Sequence, residues 1–360
     1  MSNLFIGVMS GTSMDGIDIA LCEIDAHSCT LLAYEEYPFD IALKEEILEA
    51  ISGVVSLQKV GELHVRLGRL FAQRIAEFLL SQRINAKDIE AIGLHGQTLW
   101  HEPNAAYPFS LQLGDATVVV AKTEIKTVTD FRSADIANGG QGAPFAPAFH
   151  QFLFSSLKQN TAVLNIGGMA NLTLLGENLR GWDTGCGNVL LDYNIQNAQG
   201  KSYDADGAFA RSGEINAELL EKMLADPYFS KMPPKSTGRE YFNASWLESL
   251  LPIFHTINAA DIQRTLLELT AKSIADDVKR HNIAELILCG GGAKNGFLVE
   301  RLEQLCGCSV KRSEAYGVPS DAIEAMAFAW FAKKRIKCEA VALSSVTGAK
   351  KDTILGALYE

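Results

Sequence analysis

The 360-residue sequence contains no run of about 18 apolar residues, the length a membrane-spanning helix needs. Its opening residues, Met1-Ser2-Asn3-Leu4-Phe5-Ile6-Gly7, have neither a basic stretch nor a long apolar core, so no signal peptide is expected. Cysteines number seven, an odd and scattered set, and Cys306-Gly307-Cys308 is too tight for C-x-x-C metal or redox spacing. Reduced thiols in a cytoplasmic protein are the expectation. Cations are outnumbered, 32 Lys and Arg against 43 Asp and Glu, for a net charge of −11. That balance argues against broad binding to nucleic acid or an anionic membrane, both of which need a cationic face. A small acidic ligand remains allowed, because one pocket can be locally positive.

Several catalytic signatures are missing as well. Gly11-Thr12-Ser13-Met14-Asp15-Gly16 has the outer glycines of a Walker A loop, but Ile17 stands where lysine is required. There is no H-R-D or D-F-G set and no G-x-S-x-G elbow, which sets aside protein kinases and α/β-hydrolases. Gly290-Gly291-Gly292 fails the dinucleotide G-x-G-x-x-G spacing, because Asn295 occupies the third glycine position. His27, His64, His101, His150, His255 and His281 show no metal-ligand spacing, so no transition metal is expected.

The composition is that of an ordinary soluble chain, 48% hydrophobic and 21% charged. Its length suggests two domains. Leu4–Met9 is a short apolar run that ends in the small-residue turn Ser10–Gly16, and Ile17, Ile19 and Leu21 then alternate with Asp18, Ala20 and Cys22 as a second strand. A third strand is expected at 30–37. Leu57, Val60, Leu63, Leu67, Leu70, Phe71, Ile75 and Phe78 recur at helical spacing and predict a long helix over about 56–83. Strands are expected at 91–94 and 126–129, and a helix at 114–124. About 155 residues after the first unit, Thr161–Ile166, Gly167-Gly168 and a returning strand repeat the same strand–glycine turn–strand architecture. Asp183 closes a strand as it enters Thr184-Gly185, and a helix then runs to about Gln199. Residues 200–245, with Pro233-Pro234, read as an irregular insertion. A second long helix carries Ile262, Leu266, Leu269, Ile274 and Val278. The strand Leu286–Cys289 leads into Gly290–Gly292, and Ser320 is read as the N-cap of a helix reaching about Lys334. Alternating strands and helices in both halves imply an α/β protein with mixed sheets.

Three glycine turns, each after a strand, carry the chemistry. Bare turns let backbone N–H groups approach phosphate oxygens, and Thr12 and Ser13 add hydroxyl donors. A single such turn is more often a tight hairpin; three, two of them in a repeated architecture, point to a nucleotide. This arrangement resembles the superfamily of sugar kinases, actin and heat-shock chaperone ATPases. Within it, Gly7–Asp18, His95-Gly96-Gln97-Thr98, Leu111–Asp115, Asp130-Phe131-Arg132, Asn165–Asn171, Asp183–Asn188 and Cys289–Asn295 resemble the anhydro-N-acetylmuramic acid kinase family, in one order and over nearly the whole chain.

The resemblance implies a two-lobed, actin-like ATPase (ribonuclease H-like) fold with a mixed sheet flanked by helices in each lobe and a central cleft holding the ligands. Lobes of residues 1–135, joined by the tail 346–360, and of residues 136–345 are expected. The implied reaction uses ATP, Mg²⁺ and water to convert 1,6-anhydro-N-acetylmuramic acid into N-acetylmuramic acid 6-phosphate and ADP, in the recycling of cell-wall peptidoglycan. It implies a cytoplasmic homodimer. Asp183 is expected as the general base, although a turn or capping aspartate is the other reading, and Glu324 as a second cleft carboxylate. Gly11, Thr12, Ser13, Met14, Asp15, Gly16, Ile17 and Asp18 are expected at the β- and γ-phosphates, with Asp15 and Asp18 orienting the metal. Gly167 and Gly168 are expected to grip from the other lobe, and Gly290, Gly291, Gly292 and Asn295 to border the adenosine. His95, Gln97, Thr98, Gln112, Asp130, Arg132, Asn165 and Asn188 are expected around the sugar, with Arg132 paired to its carboxylate or to a phosphate. A different sugar kinase, a phosphoanhydride hydrolase, or an actin-like filament or chaperone ATPase would share the glycine turns.

Overall fold

The computed structural model describes residues 3–11, 14, 16–157, 160–176, 179–233, 235–254 and 256–360. Thr12, Ser13 and Asp15, expected at the phosphates and the metal, lie outside the described residues, as do Pro234 and His255. The strands are β1 (Leu4–Ser10), β2 (Gly16–Ile24), β3 (Cys29–Pro38), β4 (Ile89–Leu94), β5 (Gln97–Glu102), β6 (Phe109–Leu113), β7 (Thr127–Thr129), β8 (Thr161–Ile166), β9 (Met169–Leu174), β10 (Arg180–Cys186), β11 (Glu285–Cys289), β12 (Ser309–Arg312) and β13 (Ala357–Tyr359). The chain divides into two compact units, Met1–Leu153 with Ala322–Glu360, and Phe154–Asp321. The sequence-based boundaries at 135/136 and 345/346 thus fall about 18 and 24 residues from the observed crossings.

In the first unit the sheet order is β13-β7-β4-β1-β2-β3. Strands β1, β2 and β3 form an antiparallel meander, while β4 joins β1, and β7 joins β4, in parallel. The last strand, β13, adds antiparallel to β7, so the C-terminal residues complete the sheet. In the second unit the order is β10-β9-β8-β11-β12, again a three-strand meander followed by two parallel strands. The two sheets share one topology, which is the ribonuclease H-like α/β arrangement implied by the resemblance, present once in each unit.

Strand alternation explains how the first sheet is covered on both sides. Ile6 and Val8 of β1, with Ile92 and Leu94 of β4, join the core built with helices Ile41–Ser52 and Leu57–Gln82. Gly7 and Gly93, paired in the parallel register, face the other way, onto helix Ile323–Ile336. A Cβ at Gly7 would stand 1.8 Å from the Ala325 carbonyl oxygen, and one at Gly93 would stand 1.9 Å from that of Phe328. Only glycine lets this apolar helix lie so close, and nine of its side chains from Ile323 to Ala332 are buried. The second sheet packs Ala162, Leu164, Leu172, Leu286 and Leu288 against helices Ala259–Arg280 and Gly296–Cys306.

Local signals operate as elementary rules predict. Ser56 caps helix Leu57–Gln82 by accepting from the Lys59 N–H at 3.1 Å, and Asp115 caps Ala116–Thr123 through the Thr117 N–H at 2.9 Å. Ser320 does not behave as expected. Its hydroxyl donates to the Glu314 carboxylate at 2.7 Å, a 3-10 turn follows at Ser320–Ala322, and the helix begins at Ile323 without a side-chain cap. Hydrogen bonding to a nearby acid has won over capping. The cysteines all carry free thiols. Among the described residues no helix is long and apolar enough to cross a membrane.

Candidate active site

The predicted residues fall into two groups, one in each unit. In the first unit, β4 ends at Leu94 and delivers His95 into the interior. His95 Nδ1 lies 3.1 Å from the Ser10 carbonyl oxygen, which can only accept, so Nδ1 carries the proton. Nε2 is therefore an acceptor, and Arg132 Nη2 donates to it at 2.9 Å, with Gln112 Nε2 at 3.4 Å. Burial, reinforced by the Arg132 charge, lowers the His95 pKa to about 3, so the ring is neutral at physiological pH. Both ring nitrogens serve protein groups. His95 thus acts on the site by holding Arg132.

Arg132 follows β7 through Asp130, whose φ of 54° is left-handed and turns the chain sharply. The Ser133 hydroxyl donates to Asp130 Oδ1 at 2.5 Å and fixes that turn. Arg132 Nη1 donates to the Gly142 carbonyl at 2.7 Å, its guanidinium lies 5.3 Å from the Phe145 ring centre, and its Nε is buried with no hydrogen-bond partner. Burial lowers its pKa to about 10 while Glu324 pulls in the other direction, so the cation persists at neutral pH. Among the described residues no carboxylate lies within ion-pair distance of it. Gln112 Oε1 is also buried without a partner. A buried cation without a paired anion, beside an orphaned amide oxygen, suits a ligand that brings both an anion and a donor.

Gln97 is fully buried, accepts from the Ser10 hydroxyl and donates to the Gly11 carbonyl at 3.3 Å, so it shapes the first glycine turn. Thr98 and Gln112 are cross-strand partners on the β5–β6 hairpin. Met14 and Ile17 are core side chains, which leaves only their backbone for a ligand. Asp18 lies on β2, opposite Glu36 of β3, and Tyr34 donates to its Oδ1 at 2.5 Å. Glu324 sits in the first turn of Ile323–Ile336. It is accessible by surface area, yet atoms crowded around its carboxyl raise its pKa, and the Arg132 charge partly reverses the shift.

In the second unit, Asp183 sits within β10 and not at its end, because pairing with β9 continues to Cys186. The register slips between Asp183 and Gly185, a bulge of the kind that re-aims a side chain. Asp183 Oδ2 accepts from the Ser236 hydroxyl and the Thr237 N–H, each at 2.9 Å. Both bonds fall on one oxygen, and among the described residues Oδ1 receives none. Burial raises the Asp183 pKa above the ordinary aspartate value, against the pull of these two donors. Thr237 Oγ1 is buried without a partner.

Ser236 and Thr237 come from the stretch that the sequence presents only as an irregular insertion. What holds them is a buried ion pair, Lys235 Nζ to Asp277 Oδ2 at 3.1 Å; the same oxygen accepts from Trp182 Nε1 at 2.9 Å. The Asp183 N–H also donates to the Lys235 carbonyl at 3.1 Å. The loop is therefore tied to the strand that carries Asp183.

The glycine turns divide by cause. At Gly187 a Cβ would meet the Gly167 carbonyl oxygen at 2.4 Å, at Gly290 it would meet Asn165 Oδ1 at 2.2 Å with φ +78°, and at Gly292 it would meet Ile166 Cγ2 at 2.3 Å. Those three are needed by the fold. Gly167, Gly168 and Gly291 have no left-handed φ and nothing nearer than 3.7 Å to a Cβ. Neither conformation nor internal packing demands glycine there, so these turns present bare backbone outward. Asn165 packs against the Gly290 turn, Asn188 Nδ2 reaches the Ile166 carbonyl at 3.5 Å, and Asn295 Oδ1 caps Gly296–Cys306 through the Leu298 N–H at 3.0 Å. These asparagines shape the loops.

Among the described residues no three His, Cys, Asp or Glu side chains gather as a metal cage. Mg²⁺ needs none, since it is held by one or two carboxylates with water and phosphate filling the rest. Asp18, in register with Glu36 on the neighbouring strand, is a carboxylate of the kind such an ion uses.

A sequence model of the family described as anhydro-N-acetylmuramic acid kinase matches residues 3–360. An anhydro-N-acetylmuramic acid kinase of Sulfurimonas denitrificans is 54% identical over 368 aligned positions, covering 100% of both chains. One from a Sulfurovum species is 55% identical over 358 positions, covering 99% of this chain and 98% of that one. With a match running from end to end of the described fold, the chain belongs to the anhydro-N-acetylmuramic acid kinase family.

Proposed function

We propose that the residues of the two groups together carry out the reaction of this family. Water adds to the anomeric carbon of 1,6-anhydro-N-acetylmuramic acid, the bond from that carbon to O6 breaks, and O6 takes the γ-phosphoryl group of ATP. The products are N-acetylmuramic acid 6-phosphate and ADP. Asp183 accepts the proton of the attacking water on its uncommitted Oδ1, while Ser236 and Thr237 hold Oδ2 and thereby aim the carboxylate. Gly167, Gly168 and Gly291 offer backbone to the nucleotide, and the Gly11–Asp18 turn borders its phosphates. Family membership implies ATP with Mg²⁺, and Asp18 with Asp15 are the carboxylates that would orient the ion. Mg²⁺ supplies charge neutralisation of the transferring phosphoryl group. Arg132 pairs with the lactyl carboxylate of the sugar, while Gln112, Thr98 and Asp130 meet its hydroxyl and amide groups. Glu324 lies beside Arg132 and tunes its charge. Action in the cytoplasm and assembly as a homodimer belong to the same proposal, and sedimentation of the purified chain tests the latter.

The observation that carries this reading is the set of buried side-chain atoms left without partners. Of the five among the described residues, Gln112 Oε1 and Arg132 Nε belong to residues predicted from the sequence, and Thr237 Oγ1 to the loop that holds Asp183. An unmade buried hydrogen bond costs about 1–3 kcal/mol, so a molecule keeps such atoms where a ligand completes them. The deciding experiment is mass analysis of products from the anhydro sugar acid and ATP. The expected result is one sugar phosphate per ADP; ADP without sugar phosphate rejects the reading.

Arg132→Lys tests the carboxylate pairing. It keeps the charge but loses the planar fork, and the KM for the sugar acid is expected to rise about 10-fold or more, as charge-assisted bonds are worth about 1.5–3 kcal/mol. An anhydro sugar without the lactyl group is expected to lose little on the same substitution. Equal losses for both sugars would remove Arg132 from the carboxylate.

A further inference from the structure

The loop that holds Asp183 also carries a cation with no assigned task. Arg239 Nε and Nη2 both lie 3.8 Å from where a Cβ on Gly168 would stand, so the side-on fork of the guanidinium faces the bare turn. Among the described residues its guanidinium makes no hydrogen bond or ion pair, although the chain holds 43 Asp and Glu against 32 Lys and Arg. The Gly168 N–H likewise makes no hydrogen bond among the described residues, while the Gly168 carbonyl is taken by the N–H groups of Gly187 at 2.8 Å and Val189 at 3.1 Å. An unpaired backbone N–H and a guanidinium fork thus lie at the same turn. The segment that carries Arg239 is anchored on both sides. Lys235 is locked to Asp277, Asn243 Nδ2 donates to the Arg239 carbonyl at 3.0 Å, and Asn243 itself caps helix Ala244–Leu250 through the Trp246 N–H at 3.0 Å.

We infer that Arg239 clamps an oxyanion against the Gly167–Gly168 turn, and that this oxyanion belongs to the phosphoryl group in transfer. The inference rests on the reading of that turn as phosphate-binding. A planar guanidinium matches two phosphoryl oxygens at once, and its charge offsets what develops as the group leaves ADP. The same loop supplies Ser236 and Thr237 to Asp183, so one segment holds both the phosphoryl group and the base that activates water.

Arg239→Ala and Arg239→Lys test it beside wild type, with initial rates against ATP and against the sugar, calorimetric affinity for a non-hydrolysable ATP analogue with Mg²⁺, and thermal melting. Removing one preorganised donor at a transition state costs about 10²–10³-fold, so kcat of Arg239→Ala is expected to fall by at least about 100-fold. Analogue affinity is expected to fall several-fold, with sugar KM and melting temperature unchanged, because the side chain is exposed and makes no internal bond. Arg239→Lys is expected to recover part of kcat and no more, as a point charge lacks the fork. A kcat within threefold of wild type overturns the inference. A raised sugar KM at unchanged kcat also overturns it and assigns the cation to the sugar carboxylate. Wild type that makes no sugar phosphate would instead reject the reaction itself, which keeps the two failures apart.

Discussion

Asp183→Asn is expected to lower kcat by about 10²–10⁴-fold, the usual worth of a positioned general base. The substitution is nearly isosteric. An amide oxygen in place of Oδ2 still accepts from Ser236 and Thr237, so the loop and the bulge in β10 stay in place and the loss falls on proton transfer. Melting temperature serves as the control and should match wild type. The pH dependence carries a sign. Burial raises the Asp183 pKa, and only the ionised form accepts a proton, so kcat/KM falls on the acid side through a value above that of an ordinary aspartate. The Ser236 hydroxyl stabilises the ionised form; Ser236→Ala therefore moves that acid limb to higher pH. A limb that stays in place, or moves down, would separate Asp183 from the ionisation that controls the rate. Near-wild-type turnover in Asp183→Asn would remove it as base.

Gly93→Val is expected to destabilise the first unit severely. The new side chain starts 1.9 Å from a helix carbonyl and 2.6 Å from its carbon, both backbone atoms that cannot rotate away. Overpacking of this kind typically costs about 1–3 kcal/mol, and a clash with backbone belongs at or above the top of that range. Gly7→Val meets the same helix one turn earlier and should behave alike. Chemical denaturation reads the loss as a lower midpoint. Because Glu324 stands in the first turn of the displaced helix, the surviving folded enzyme is also expected to show a higher sugar KM. An unchanged midpoint in Gly93→Val would mean that helix and sheet are not in the close contact described.

The elements legible in the sequence are those whose cause is local. The 3.6-residue spacing from Leu57 to Phe78 predicts a helix, observed at Leu57–Gln82. The repeated strand–turn–strand units are likewise observed, as β1–β2 and β8–β9. Other features depend on contacts that no periodicity records. The β5–β6 hairpin alternates weakly, with both buried and exposed apolar residues, and escapes a search for patterns. Asp183 stands out beside Thr184-Gly185, but the extension of β10 to Cys186 is enforced by pairing with β9. The loop that holds Asp183 is the least legible of these. Lys235, Ser236, Thr237 and Arg239 follow two prolines in a stretch without pattern, and their order comes from Asp277, 42 residues beyond Lys235. A lysine nearly without exposure, in a segment rich in Pro, Ser and Gly, is the one signal there, and only tertiary structure reveals it.

The return of the chain to the first sheet bears on how the protein is born. Helix Ile323–Ile336 and strand β13 both belong to the unit that begins at the N-terminus, yet they leave the ribosome last. At about 5–20 residues per second, the second unit emerges whole while the first still lacks its covering helix. During that interval β1 and β4 present the strip around Gly7 and Gly93, apolar and unroofed, to solvent and to chaperones. The middle of the chain is thus free to reach its native state before the beginning is, and a ribosome that stalls past residue 321 leaves one finished unit beside an open sheet.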